Sequence, residues 1–377
     1  MNEMQTPTSV PTNRQKPMAA DRDAAVQVNL LKQAIGRHQG ELAEFLPRSG
    51  DDGDIALRPG EYLLYSDQAM LARLEGAKKG SEKSLETEIK RARQVGALRR
   101  MVKAPSSADL ARLAQDHPNF EPVIELMRQR ASLARVTPGR VYTLPPILLA
   151  GGAGVGKTAF AEAIARSLGL PVRRVDMASN TASFVLSGSH SSWASARPGA
   201  VWALLHGSAS SGVMVVDEID KAADRNHPPL GPLYKLLEPS SAKTFMDEFV
   251  EVEIDASHLC WVATCNDPDR IEPALRSRYR EFVIEAPTKA QMVAITQSVY
   301  RERRRNAPWG SVFPEQLATD VTEAMSVCTP RELAALIEAA AAHAASFNRT
   351  SILAEDVEAA RTVNNRQGRQ LRRLGFI

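Results

Sequence analysis

The chain has 377 residues, 44% hydrophobic and 24% charged, with 47 Lys and Arg against 44 Asp and Glu for a formal net charge of +3. Such a composition is that of a soluble globular protein with enough chain for two domains and an extension, and so small a net charge implies no polyanionic partner. Three cysteines, Cys260, Cys265 and Cys328, make no disulfide framework and point to a reducing, intracellular compartment. His258, Cys260 and Cys265 do not read as a metal site, because five residues along a strand put the two thiols on opposite faces. The polar, Pro/Thr-rich N-terminus lacks the apolar centre of a signal peptide. No apolar run approaches membrane-spanning length, so a cytoplasmic protein without a membrane partner is expected.

Residues 1–22, with Thr6, Pro7, Thr8, Pro11 and Pro17, carry few large apolar side chains and predict a disordered N-terminus. Residues 23–136 predict a mostly helical N-terminal region. Val26, Leu30, Leu31 and Ile35 share one helical face, 50–60 reads as an acidic loop, and 62–74 fits either a strand or a helix. Leu85, Ile89, Ala92, Val95, Leu98 and Val102 recur at spacings of three and four, which predicts one longer amphipathic helix that packs by its apolar face. Pro105 with Ser106 and Ser107 breaks the pattern, and a further helix from Asn119 carries Val123, Ile124, Met127 and Ala131.

From Thr137, where Pro138 and Gly139 mark a turn, strands and helices alternate through residues 137–286. Strands are expected at 147–150, 172–176, 213–216, 259–264 and 281–284. That order predicts an α/β domain with a parallel sheet flanked by helices. The first of these helices carries Phe160, Ile164 and Leu168 and stops at Gly169 before Pro171. Residues 287–363 read as an all-helical lid domain, and 364–377 as a basic C-terminal tail.

Gly151-Gly152-Ala153-Gly154-Val155-Gly156-Lys157-Thr158 lies between the first strand and its helix and fits G-x-x-x-x-G-K-[ST], the phosphate-cradling loop. Its glycines let backbone N–H groups turn inward around a polyphosphate. Lys157 supplies a point charge for the terminal phosphates, the Thr158 hydroxyl is placed for Mg²⁺, and the following helix aims its positive end at the same anion. ATP with Mg²⁺ is therefore the expected ligand.

A second buried strand, Val213-Met214-Val215-Val216, ends in Asp217-Glu218. Strand ends of this kind lie beside the phosphate loop in open α/β sheets. Asp217 can hold Mg²⁺ through water, and Glu218, pointing elsewhere, can polarise an attacking water. The strand Leu259-Cys260-Trp261-Val262-Ala263-Thr264 leads to Cys265-Asn266, where an amide can contact both a γ-phosphate oxygen and that water. Read singly, these are ordinary strand-ending residues. Their order gives them meaning.

That order resembles the AAA+ ATPases, a P-loop NTPase family, and more narrowly the ATPase module of the Lon protease family. The likeness is carried by the segment from Ser187-Gly188-Ser189-His190 through Trp193 to Arg197-Pro198-Gly199, by Asp217-Glu218-Ile219-Asp220-Lys221, by Leu236-Leu237-Glu238-Pro239, and by Phe245, Asp247 and Val250-Glu251-Val252. It covers roughly residues 120–360. It does not reach a peptidase domain with a Ser/Lys dyad, so protease activity is not expected.

The resemblance implies further roles. Arg278, in Leu275-Arg276-Ser277-Arg278, stands where the family places a finger that reaches the γ-phosphate of the neighbouring subunit, with Arg276 as a second candidate. Arg331 matches the sensor arginine of the lid. Thr329, Pro330 and Glu332 form a capping box around it, which puts its cation in a first helical turn and calls for an anionic partner. Trp193 corresponds to the pore-loop aromatic that grips a polypeptide, although Ala194 replaces the family's aliphatic residue. Residues 221–229 occupy the second pore-loop position, with Arg225 and His227.

These readings lead to an ATP-hydrolysing AAA+ protein that self-associates into a ring, a homo-hexamer by the family's pattern, and remodels or unfolds a protein substrate. One alternative is a nucleotide-dependent switch or adaptor that binds a partner through residues 23–118. Another is a nucleic-acid-stimulated motor, which the basic cluster Arg301 to Arg305 and the tail keep open although no basic stripe is interleaved with aromatics.

Overall fold

The computed structural model describes residues 57–80, 82–179, 184–193, 195–208, 210–224 and 230–362. The expectations for 1–22, for the helix after Asp23, for Ala194, Arg225 and His227, and for the basic tail lie outside the described residues.

The ambiguous stretch 62–74 contains both structures. Strand β1, Glu61–Leu63, pairs antiparallel with β2, Leu98–Arg100, and helix α1, Asp67–Lys79, begins where the Ser66 side chain accepts the Ala69 N–H. Helix α2, Lys83–Val95, buries Leu85, Ile89 and Ala92 as the spacing requires. The expectation that this helix continues through Leu98 and Val102 is wrong. Gly96 adopts φ 84°, a left-handed conformation that glycine enters without a Cβ penalty; the chain turns there, and Leu98 belongs to β2 instead. Ser106 starts a helix rather than merely ending one: its hydroxyl and the Asp109 carboxylate form a reciprocal capping box on α3, Ser107–Asp116. A short 3₁₀ turn, Pro118–Phe120, then leads into α4, Glu121–Val136.

Strand β3, Ile147–Ala150, is followed by α5, Lys157–Leu168, and by β4, Val172–Asp176. Helix α6, Ala200–His206, precedes β5, Val213–Asp217. A small antiparallel ribbon of β6, Phe245–Met246, and β7, Glu253–Ile254, intervenes. Then come β8, Cys260–Cys265, and β9, Arg280–Val283. Five of these strands make one parallel sheet in the order β4-β5-β8-β3-β9. Each expected sheet strand is present to within a residue at its ends. The register sets Ala150 opposite Cys265 and Asp176 opposite Asp217, so the carboxyl ends of the central strands meet at one edge, where an open α/β sheet binds ligands.

Alternate residues of each central strand supply different cores. Leu148, Met214, Val216, Trp261 and Cys265 pack with Met70, Leu74 and Ile89 of α1 and α2 and with Trp202. Ile147, Leu149, Val215, Cys260 and Val262 pack with Ile124, Met127, Phe160 and Ile164. The two thiols thus face opposite sides, as a period of two dictates, and each fully buried aliphatic side chain contributes about 1.5–3 kcal/mol.

After β9 no strand occurs among the described residues. Helices α7, Lys289–Asn306, α8, Thr319–Met325, and α9, Pro330–Ser346, with a helical run at 354–362, bury Tyr300, Val321, Leu333, Ile337 and Val357 in a core of their own. This lid is tied back to the earlier chain by Arg301, 3.0 Å from Asp116, and by Gln291, whose amide donates to the Pro118 carbonyl at 3.2 Å. No helix among the described residues is long and apolar enough to cross a membrane.

Candidate active site

The β3–α5 connection requires its glycines. Gly151, Gly154 and Gly156 have φ of 155°, 82° and 100°, and a Cβ on Gly151 would lie 2.3 Å from the Ile284 carbonyl oxygen. Gly156 leads into α5, whose first turn opens toward the loop. The Asn119 amide donates to the Val155 carbonyl at 3.2 Å, fixing the loop from outside. Lys157, 8% exposed, directs Nζ to the carbonyls of Gly151 and Gly152 at 2.6 and 2.7 Å and to Asn266 Oδ1 at 3.0 Å. All three ammonium donors are therefore engaged, and burial holds the lysine below its ordinary pKa.

Asp217 ends β5 almost wholly buried. Thr158 Oγ1 donates to its Oδ1 at 2.9 Å, Thr264 Oγ1 donates to the same oxygen, and Arg174 Nη2 lies 2.9 Å from Oδ2. Glu218 follows at φ 53°, an uncommon conformation for a residue with a Cβ, and its N–H donates to Thr264 Oγ1 at 3.0 Å. The left-handed turn separates two adjacent carboxylates: Asp217 is drawn in against Thr158, and Glu218 lines the open cleft. Thr158 and Asp217 offer only hard oxygen donors, which fit Mg²⁺. Among the described residues no group of three or more His, Cys, Asp and Glu could cage a metal, so phosphate oxygens and water would complete its shell.

The cleft is a cavity of about 640 Å³ between the sheet edge, α3 and α7. Ala153, Gly154, Val155, Gly156, Lys157 and Thr158 line it, as do Asp217, Glu218, Asn266 and Arg331. Arg331 arrives on the first turn of α9, where the capping box of Thr329 with Glu332 and Pro330 at the helix start are all present. A Cβ placed on Gly154 would sit 3.9 Å from Arg331 Cβ, so only a methyl's width separates lid and phosphate loop. Gly151 and Gly152 do not line the cleft; their carbonyls accept from Lys157.

Several contributors escaped sequence reasoning. His117 and Phe120 line the cleft; Phe120 stacks on Phe160 at 4.1 Å, and burial pushes His117 down to about 4, leaving it neutral near pH 7. With Val155, Ile295 and Val299 they provide a flat, apolar wall. No periodic signal marks His117 and Phe120, because they lie at and just before a 3₁₀ turn. Asp220, fully buried, accepts the N–H groups of Asn266 and Asp267, each at 3.2 Å, and so orients the turn that bears Asn266. Its place in Asp217-Glu218-Ile219-Asp220 was the available signal.

Three singled-out residues, Arg276, Arg278 and Trp193, stand away from the cleft. Arg278 does not line it. Arg276 is committed within its own chain, with Nε and Nη2 on the Glu281 carboxylate at 2.6 and 3.0 Å and Nη1 on Asp269 at 2.7 Å. Trp193 is 58% exposed, with the Phe184 ring edge-to-face at 6.3 Å. The base of its loop is anchored by buried Asp247, whose carboxylate accepts the Gly199 N–H at 2.8 Å.

A phosphate loop beside an acidic strand end, closed by a helical lid that brings an arginine, is the arrangement of a P-loop nucleotide-binding fold, and residues 147–286 match the model of the ATPase family associated with various cellular activities (AAA). Within that class the chain is similar to the Lon proteases. It is 35% identical over 159 residues to Lon protease homolog 2, peroxisomal, of Caenorhabditis elegans, covering 42% of this chain and 20% of that protein. It is 29% identical over 208 residues to the Lon protease of Syntrophus aciditrophicus, covering 54% and 26%. The match thus spans about a fifth to a quarter of these relatives. A Thermotoga maritima RuvB mutant shares 18% identity at a TM-score of 0.45, over 65% of this chain and 70% of that one, a loose likeness from which nothing about function follows.

Proposed function

We propose that the protein hydrolyses ATP to ADP and phosphate as a subunit of a homo-oligomeric ring, a hexamer by analogy with its relatives, and uses the turnover to remodel or unfold a protein substrate. The observation that carries the reading is that Lys157, Thr158, Asp217, Glu218, Asn266 and Arg331 converge on one cleft while Arg278 lies outside it. Such a division suits a site finished by a neighbouring copy.

In this mechanism Lys157 exchanges its carbonyl partners for the terminal phosphates of ATP, and Asn266 orients the attacking water. Glu218 accepts a proton from that water as its oxygen bonds to the γ-phosphorus and the bond to the departing ADP oxygen breaks. Mg²⁺, held near Thr158 and Asp217, supplies charge neutralisation on the phosphates. Arg331 senses the anion from the lid, and rotation of the lid against the sheet domain carries the motion to Trp193.

The protein-substrate reading is favoured over a nucleic-acid motor because three of the four arginines in the basic cluster of α7 are already engaged. Arg301 pairs with Asp116, Arg303 with Glu338 at 3.2 Å, and Arg304 donates to the Phe313 carbonyl. The deciding experiment is ATP-driven unfolding of a tagged fluorescent protein by wild type and by Trp193→Ala. Unfolding by wild type alone supports the motor. Equal unfolding by both removes the pore-loop role, and unfolding by neither favours a nucleotide-dependent switch.

A further inference from the structure

Arg276 ends the short helix Pro273–Arg276 and Arg278 follows two residues later, yet their side chains are held in opposite ways. Arg276 is closed by two carboxylates. Arg278 has no carboxylate partner among the described residues. Its guanidinium lies over the Tyr234 ring, 5.2 Å from the centroid, and Nη1 donates to the Ala274 carbonyl at 2.5 Å. Its Nε is buried without a hydrogen-bond partner.

Tyr234 is itself fixed, because its hydroxyl donates to the Glu272 carboxylate. Burial and that hydrogen bond push the phenol up to about 12, so it remains a donor at neutral pH. The Glu272 main-chain carbonyl meanwhile accepts the N–H groups of Leu275 and Arg276 at 3.0 and 2.9 Å, capping the turn from which Arg278 departs. One residue therefore fixes both the helix end and the ring beneath the guanidinium.

We infer that Tyr234 and Glu272 are positioning residues for Arg278, an aromatic rest that restrains its cation without a carboxylate partner until a neighbouring copy presents a phosphate. This rests on the reading that Arg278 completes another subunit's site. An arginine has many rotamers to lose on engaging a phosphate, and a ring face restrains it without neutralising it as a carboxylate would. Preorganisation of this kind speeds the chemical step rather than tightening nucleotide binding.

The test compares kcat, KM for ATP and the thermal unfolding midpoint of the full chain for Arg278→Ala, Tyr234→Ala, Tyr234→Phe, Glu272→Gln and the double variant Tyr234→Ala/Arg278→Ala. Tyr234→Ala is expected to lower kcat about tenfold with KM unchanged. Tyr234→Phe, which keeps the ring face, should lose only about threefold, and Glu272→Gln a similar factor. The double variant should turn over no more slowly than Arg278→Ala alone, because the tyrosine would act only through the arginine. Losses that multiply in the double variant, or a wild-type kcat for Tyr234→Ala, overturn the inference while leaving Arg278 its role. A wild-type kcat for Arg278→Ala overturns the shared-site reading itself. If Tyr234→Ala lacks a cooperative unfolding transition, wild-type kcat in both Tyr234→Phe and Glu272→Gln decides against the inference.

Discussion

Lys157 Nζ and Asn266 Oδ1, 109 positions apart in the chain, are hydrogen-bonded at 3.0 Å. A γ-phosphate entering the cleft would meet both groups at once, so the amide reports the anion that the ammonium binds. Asn266→Ala is expected to keep ATP affinity within a few-fold and to lower kcat by about 10²-fold, as for loss of one oriented polar contact in a transition state. Asn266→Asp should behave differently, because a carboxylate beside Lys157 competes with phosphate for the same cation. Nucleotide titration separates the two variants: equal affinities would count against a shared lysine–amide–phosphate contact.

Asp217 and Glu218 both line the cleft, and the Asp217 carboxylate is tied to Thr158. Glu218→Gln preserves shape and hydrogen bonding but cannot take a proton. It should bind ATP with unchanged affinity and turn over about 10²–10⁴-fold more slowly. Single-turnover phosphate release measures this, and a rate near wild type would remove Glu218 as the base.

The glycines of the phosphate loop are not equivalent. A methyl on Gly151 would collide with the Ile284 carbonyl, whereas one on Gly152 would meet nothing nearer than Val155 Cγ1 at 4.0 Å. Gly151→Ala should cost at least ~2 kcal/mol and abolish nucleotide binding, while Gly152→Ala should stay within about 1 kcal/mol of wild type. Denaturant unfolding with and without ATP provides the comparison. Similar losses in the two variants would show that the close approach to Ile284 does not constrain the loop.

What the sequence made legible follows from locality. The phosphate loop, Asp217, Glu218, Asn266 and Arg331 were readable because each lies at the end of a buried strand or the start of a capped helix, where short patterns carry geometry. The positions of β3, β5 and β8 in the chain followed from their apolar runs. His117 and Phe120 were not readable as cleft residues, since stacking on Phe160 joins a 3₁₀ turn to a distant helix. Nor was β2, because Leu98 continued a helical spacing and only the conformation of Gly96 ended it. The two arginines before β9 had identical local signals. Glu281 and Asp269 separate them in space.

If Arg278 serves a neighbour, two inactive variants should repair one another. Lys157→Ala lacks nucleotide affinity but keeps the finger; Arg278→Ala binds ATP but offers none. In a ring, mixed neighbours create some interfaces with an intact cleft on one side and an intact arginine on the other. Mixing the two should restore about a quarter of wild-type turnover for random equal assembly, if each interface acts independently. Activity that stays at the level of the separate variants after exchange of subunits would argue for a site complete within one chain.

The lid carries its own electrostatic clasp. Asp356, 0% exposed, receives Arg349 through both nitrogens at 2.7 and 2.8 Å, His343 Nδ1 at 2.6 Å and the Leu353 N–H at 2.8 Å. Burial alone would raise its pKa, but the hydrogen bonds from Arg349, His343 and Leu353 outweigh it and hold the carboxyl below its ordinary value. The unfolded chain therefore binds the proton more readily than the folded one. The resulting stability is fully present above the unfolded value near 4 and is lost as pH falls through the lower folded value. Asp356→Ala removes the acceptor of all four bonds, leaving Arg349 only the Glu355 carboxylate at 3.0 Å, and should destabilise the fold near neutral pH. Asp356→Asn should cost less, and its deficit should shrink as the wild-type carboxyl protonates. Urea unfolding from about pH 7 down to about pH 3 follows both variants across that window. A deficit for Asp356→Asn that stays constant over it would show that the ionised carboxylate does not hold the lid.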